Sequence, residues 1–177
     1  MSYTQQDLDK FAFIEMFTHV PICSHPNPKD ILIVGKNNNL IDEINRYKDI
    51  NSSLKDEAIL KDLDENSFDI ILVNTKVDRV GIGHINRILR DDGIVILAPK
   101  SFIDEKEIFL EELTHLSEIF KIVMPYRVEN SILRQAYFVF ASKKYHPTAD
   151  IILQRAALHI VLTDSSASVK RSSLPET

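Results

Sequence analysis

A chain of 177 residues with 44% hydrophobic and 27% charged residues is long enough to bury a core and has the composition of one ordinary globular unit. Its 21 Lys and Arg against 26 Asp and Glu give a net charge of -5, and the cations are scattered among acids, which argues against nucleic acid as the main partner. The single cysteine, Cys23, cannot close an internal disulfide, which fits a reducing, cytoplasmic setting; no basic and apolar leader pattern opens the chain, and no apolar run approaches the roughly 20 residues of a membrane span.

Thr4 to Asp7 has the form of a capping box. Behind it Phe13, Met16, Phe17 and Val20 recur at i, i+3, i+4 and i+7 and form one apolar face of a helix. Pro21 and the Pro26-Asn27-Pro28 cluster are expected to stop that helix, because proline lacks a donor and pushes its predecessor out of the helical region. Ile31 to Val34 is apolar throughout and ends on Gly35, the pattern of a strand buried on both faces of a parallel sheet. Leu40 to Tyr47 and Asp56 to Leu63 read as short helices, and Phe68 to Val73 as a second buried strand. His84 to Arg90 reads as a helix stopped by Asp91-Asp92-Gly93, and Ile94 to Ala98 as a third strand.

Asp104 to Phe120 is expected to be the longest helix, with Phe109, Leu113, Leu116 and Phe120 inward and the glutamates outward. Ile122 to Tyr126 and Tyr137 to Ala141 read as a closing pair of strands. Strands alternating with helices specify an α/β domain with a mostly parallel sheet of about five strands, flanked by helices. It is expected to span residues 1–146. Residues 147–177 form a tail with a helical patch at Ile151 to Val161 and a Ser-rich end.

The run from Asp9 through His25-Pro26-Asn27-Pro28-Lys29 to Gly35 resembles the opening of the catalytic domain of spermidine synthases. Phe68 to Asn74, Ile88 to Ile94, Pro125 to Arg127, Phe138 to Lys143 followed by His146-Pro147-Thr148, and Val169 to Pro175 are similar to later motifs of that family, in the same order. The resemblance implies a reduced Rossmann-like sheet of the class I SAM-dependent methyltransferase type. It implies a part in polyamine biosynthesis, with an aminopropyl group moved from decarboxylated S-adenosylmethionine, the co-substrate, to putrescine. The ligands would then be a polyamine and a nucleoside, and the assembly a homodimer or other oligomer. No metal and no further cofactor is implied.

The departures from the family pattern fall on its chemistry. Asn74 stands at the position of the catalytic aspartate, and an amide cannot take a proton near neutral pH. Val77 stands where a second aspartate is expected. Phe13 and Ile14 replace a Tyr-His pair at the substrate side, while Glu15 matches a family glutamate. The Gly-rich nucleoside loop has become Gly35-Lys36-Asn37-Asn38-Asn39. Asparagine tolerates left-handed backbone, so the turn itself is expected to survive. Asn38 falls at the aspartate that holds the donor's ammonium, and Asp56 aligns with an aspartate that contacts adenine.

The family's small β-rich N-terminal domain is expected to be missing ahead of the first helix. Only eight residues separate Tyr47 from Asp56, so two strands at one sheet edge are expected to be missing. His19 and His25 match family positions beside the first strand and are expected to be structural. His115 and His159 have no acid or cysteine at ligand spacing, and no G-x-S-x-G motif is present. The reading is a spermidine synthase relative that is catalytically degenerate. Two alternatives remain: an aminopropyltransferase with a rearranged site, and a non-catalytic interaction or oligomerisation module paired through its bared sheet edge.

Overall fold

Ile31-Leu32-Ile33-Val34 lies at the heart of the structure because it has a strand on each side. In the computed structural model, which describes residues 5–98, 106–128 and 136–152, β1 (Asp30–Val34) pairs in parallel with β2 (Asn51–Lys55) and with β3 (Phe68–Val73). Next to β3 runs β4 (Leu89–Leu97), also parallel. β5 (Ile122–Val128) and β6 (Ala136–Ser142) close the sheet as an antiparallel pair, with β6 against β4. The order β2-β1-β3-β4-β6-β5 makes six strands, a Rossmann-like arrangement with both faces covered by helices.

Alternation along the strands sends two sets of side chains to two cores. Ile31, Ile33, Ile70, Leu72, Ile94 and Ile96 face α1 (Gln5–Ser24) and α2 (Asn38–Ile44). Leu32, Val34, Ile71, Val73 and Val95 face α3 (Arg79–Ile88) and α4 (Lys106–Ile119). The central parallel strands are therefore apolar at every residue over Ile31–Val34, Ile70–Val73 and Ile94–Ile96, as the sequence implies. Cys23 is buried and reduced, as a small apolar residue would be.

The structure differs from the sequence-based expectation in four places. α1, not α4, is the longest described helix at 20 residues, because it runs through Pro21 to Ser24. The Pro21 ring costs the Phe17 carbonyl its usual donor, but Ile22 and Cys23 beyond it are buried, and that packing offsets the lost bond. The helix ends instead ahead of Pro26. Its inward face also differs, since Ile14 and Phe17 are buried and Met16 is exposed.

α3 begins at Arg79, because the Asp78 carboxylate accepts from the Gly81 N–H at 2.7 Å and so caps it. It ends at Ile88, and the strand that follows already contains Leu89 to Gly93, with an irregular register against β3. Lastly, β2 is present. Its sequence Asn-Ser-Ser-Leu-Lys lacks the apolar run that marks a buried strand, but it takes one of the two edge places expected to be empty. The short helix after it is a 3-10 helix, Glu57–Asp62. The Thr4 cap and the tail from residue 153 lie outside the described residues.

Candidate ligand cleft at the C-terminal ends of the strands

Gly35 closes β1 with φ +112°, and a Cβ placed there would lie 2.9 Å from the Asn74 carbonyl oxygen. Only glycine adopts that backbone without strain. Because nothing projects from it, β1 and β3 end in contact: the Asn74 N–H donates to the Val34 carbonyl at 2.8 Å, and the Gly35 N–H to the Lys55 carbonyl at 3.0 Å. Gly35, Lys55 and Asn74 thus meet where the sheet order turns from β1 towards β2 on one side and β3 on the other. Open α/β sheets take their ligands at such a point.

The asparagine loop beyond Gly35 serves the protein itself. Asn37 caps α2, with its side-chain oxygen accepting from the Asn39 N–H at 3.2 Å. None of Asn37, Asn38 and Asn39 is left-handed, since the one described non-glycine residue with positive φ is Asn66. The expected left-handed turn is therefore replaced by an ordinary helix start. Asn38 and Asp56 are both exposed, Asn38 at the first turn of α2 and Asp56 just past β2.

A cleft of about 490 Å³ opens beyond β3 and β4, between the start of α3 and the length of α4. Val77, Ile82, Leu97, Phe109 and Leu116 form its apolar floor; Asn74, Lys76, Asp78, Arg79, Glu111, Glu112 and His115 supply the polar groups. The Asp78 carboxylate is committed to its cap. Among the described residues neither His115 ring nitrogen is hydrogen-bonded, although Nδ1 lies 3.5 Å from a Glu118 carboxylate oxygen, so the acid neighbour that spacing did not reveal sits one helical turn on.

Of the positions singled out in sequence, Asn74 and Val77 line this cleft and Gly35 abuts it through backbone. Phe13, Ile14 and Glu15 do not line it. Phe13 packs its ring on Phe17 and Phe138 at 5.6 and 5.0 Å, Ile14 is 8% exposed in the same core, and Glu15 is half-buried on α1. They lie on the opposite face of the sheet, where the aromatic cluster continues to Tyr126. Burial pushes the Tyr126 phenol well above its ordinary pKa, and its O–H donates to the Met16 carbonyl at 3.1 Å. The cleft residues of α3 and α4 were not legible as a site. Asp78 has a cap signature that an earlier helix start would have exposed, whereas Glu111 and Glu112 look like any solvated helix face.

The histidines of the first helix are structural in kind. His19 bonds the Tyr47 hydroxyl and the Glu43 carboxylate, each at 2.8 Å, and Arg46 bonds the same carboxylate at 3.0 Å. This network ties α1 to α2. At the opposite end of the sheet, His25, Asp69 and Asp92 bring potential metal-ligand atoms within 4.8 Å of one another. There, however, one Asp69 oxygen already accepts from the Lys29 and Asp30 N–H groups at 2.8 and 2.9 Å and from Arg90 at 2.6 Å. Burial raises the Asp69 pKa, but these donors outweigh it and hold the carboxyl below its usual range. The Asp69 partner, with Asp30 beside it, raises the Arg90 pKa further. A guanidinium already supplies the charge that a cation would bring.

Comparison with known proteins shows what the chain is similar to. The spermine/spermidine synthase domain matches residues 10–71. The polyamine aminopropyltransferase of Agathobacter rectalis is 28% identical over 84% of this chain and 68% of that protein. The spermidine synthase of Thermotoga maritima superposes with a TM-score of 0.68 at 18% identity, covering 84% of this chain and 64% of that one. A spermidine synthase in complex with the transition state analogue AdoDATO gives 0.67 at 19% identity, with 84% and 66% covered. At such identities the two structures bear on fold alone. The chain spans about two thirds of the length of these relatives. No helix among the described residues is long and apolar enough to cross a membrane.

Proposed function

We infer that this chain, which belongs to the spermidine synthase family, keeps that family's scaffold without its aminopropyl-transfer chemistry. The observation that carries the reading is Asn74. It directly follows β3, lines the cleft and abuts Gly35, where the resemblance requires a carboxylate. Transfer from a sulfonium donor to an amine needs a free lone pair on the attacking nitrogen, and so a group to accept its proton. A positioned base contributes roughly 10²- to 10⁴-fold to such a step. The Asn74 amide orients an amine through its oxygen and accepts no proton.

The surroundings support the same conclusion. Val77 offers the cleft a hydrocarbon surface. The loop after β1 gives the Asn39 N–H to Asn37 instead of a ligand. Phe13 and Ile14 are spent on the core. A single restored carboxylate would therefore leave the donor unbound.

The test is an aminopropyl-transfer assay on the purified chain with decarboxylated S-adenosylmethionine and putrescine, run beside Asn74→Asp. The expected result is no spermidine from either protein. Spermidine formed by the parent chain and abolished by Asn74→Ala would overturn the reading and favour an active, rearranged site.

A further inference from the structure

The two walls of the cleft carry opposite charges. Lys76 and Arg79 stand where the chain leaves β3 and enters α3, while Glu111, with Glu112 beside it, lines the cleft from α4. Among the described residues, Lys76, Arg79 and Glu111 make no ion pair, so the charges do not meet across the gap. Between them lies hydrocarbon: in the floor Ile82, Phe109 and Leu116 are buried and Val77 is half-buried. A volume of about 490 Å³ lies within the range of small-molecule sites.

We propose, on the reading that the aminopropyl donor is no longer held, that the cleft binds a short apolar peptide with both ends free. Its carboxylate lies at Lys76 and Arg79 and its ammonium at Glu111. Charge selects this class of ligand. A diamine and decarboxylated S-adenosylmethionine carry positive charge alone, which matches the α4 wall and sets like charges against Lys76 and Arg79. A simple carboxylate leaves Glu111 unmatched in the same way.

Chain length narrows the class further. A free amino acid holds both charges on one carbon, whereas each added residue separates them by up to about 3.5 Å. A peptide therefore reaches both walls with its ends while its side chains cover the floor. Solvent-exposed ion pairs contribute little on their own. Removal of apolar surface from water supplies the affinity, and the charged ends fix the direction in which the peptide lies.

Titration of the isotope-labelled full chain with phenylalanyl-leucine, followed by NMR, tests the site. Saturable amide shifts are expected at Lys76 to Arg79 and at Glu111 to Leu116. Glycylglycine keeps both charges without apolar side chains and should bind about tenfold more weakly. N-acetyl-phenylalanyl-leucine amide keeps the side chains without the charges and should bind about fivefold more weakly. Lys76 and Arg79 are exposed, so their joint replacement by serine leaves the core intact. That double variant should no longer distinguish phenylalanyl-leucine from its C-terminal amide. No shifts at millimolar peptide, shifts confined to other parts of the chain, or equal binding of the blocked peptide would each overturn the proposal. Decarboxylated S-adenosylmethionine titrated in parallel separates the two readings. A chain that takes neither ligand overturns the peptide site alone, and one that takes the donor but not the peptide overturns the loss of donor binding as well.

Discussion

Gly35 is the residue on which the convergence of β1 and β3 depends. Adding one methyl group forces a non-glycine residue to φ +112° and sets it 2.9 Å from a backbone oxygen. Backbone strain of that kind costs about 1–3 kcal/mol, before any displacement of Asn74. Gly35→Ala is therefore expected to lower the unfolding free energy by at least that amount in urea titration. An unchanged midpoint would mean that the strand ends yield freely.

Asp69 makes a second residue-scale prediction. Its folded pKa lies below the ordinary value, so its contribution is complete above the unfolded carboxylate pKa and is lost as pH falls through the lower folded value. Asp69→Ala leaves Arg90 and two backbone donors without their acceptor and should cost about 3–5 kcal/mol at neutral pH. The gap between variant and parent should narrow in acid, which stability curves from pH 7 down to about 2 will show.

Elements that depend on apolar periodicity were legible in the sequence, and those that depend on context were not. β1, β3, β5 and β6 follow from runs of β-branched and aromatic residues. Phe109, Leu116 and Phe120 are buried as the helical spacing requires, with Leu113 packed beside them. β2 was missed because it is Asn-Ser-Ser-Leu-Lys and belongs to the sheet only through its hydrogen bonds to β1. The end of α1 was misplaced because the proline rule is local, whereas burial of Ile22 and Cys23 is not. Phe17 anchors that helix, fully buried against Phe13 and Phe138. Phe17→Ala should cost about 3–5 kcal/mol and loosen α1 first, visible as faster hydrogen exchange along that helix than in β3. Equal loss of protection in both would show that α1 and the sheet unfold as one unit.

At the scale of the molecule, the proposed function separates a retained scaffold from its site chemistry. The sheet order, both cores and the Gly35 turn are Rossmann-like, and all of these but the β2 edge follow from the sequence. The candidate site was only half legible. Asn74 and Val77 were identified by position, whereas the α4 wall of the cleft carries no motif, and the fate of Phe13 and Ile14 depended on packing across the sheet. An asparagine loop that caps its own helix, an amide at the end of β3 and a hydrocarbon wall are the features on which the proposed loss of donor binding and transfer rests.

The most direct measurement is a thermal-shift titration of the full chain with decarboxylated S-adenosylmethionine and with 5′-methylthioadenosine. A ligand bound only by the native state adds about 2.7 kcal/mol at a hundredfold excess over Kd, which for a chain of this size is a rise in Tm of roughly 5–10 °C. No shift is the expected outcome with either nucleoside at millimolar concentration. A saturable rise of several degrees would contradict it, because the loop after β1 would then still form a nucleoside site.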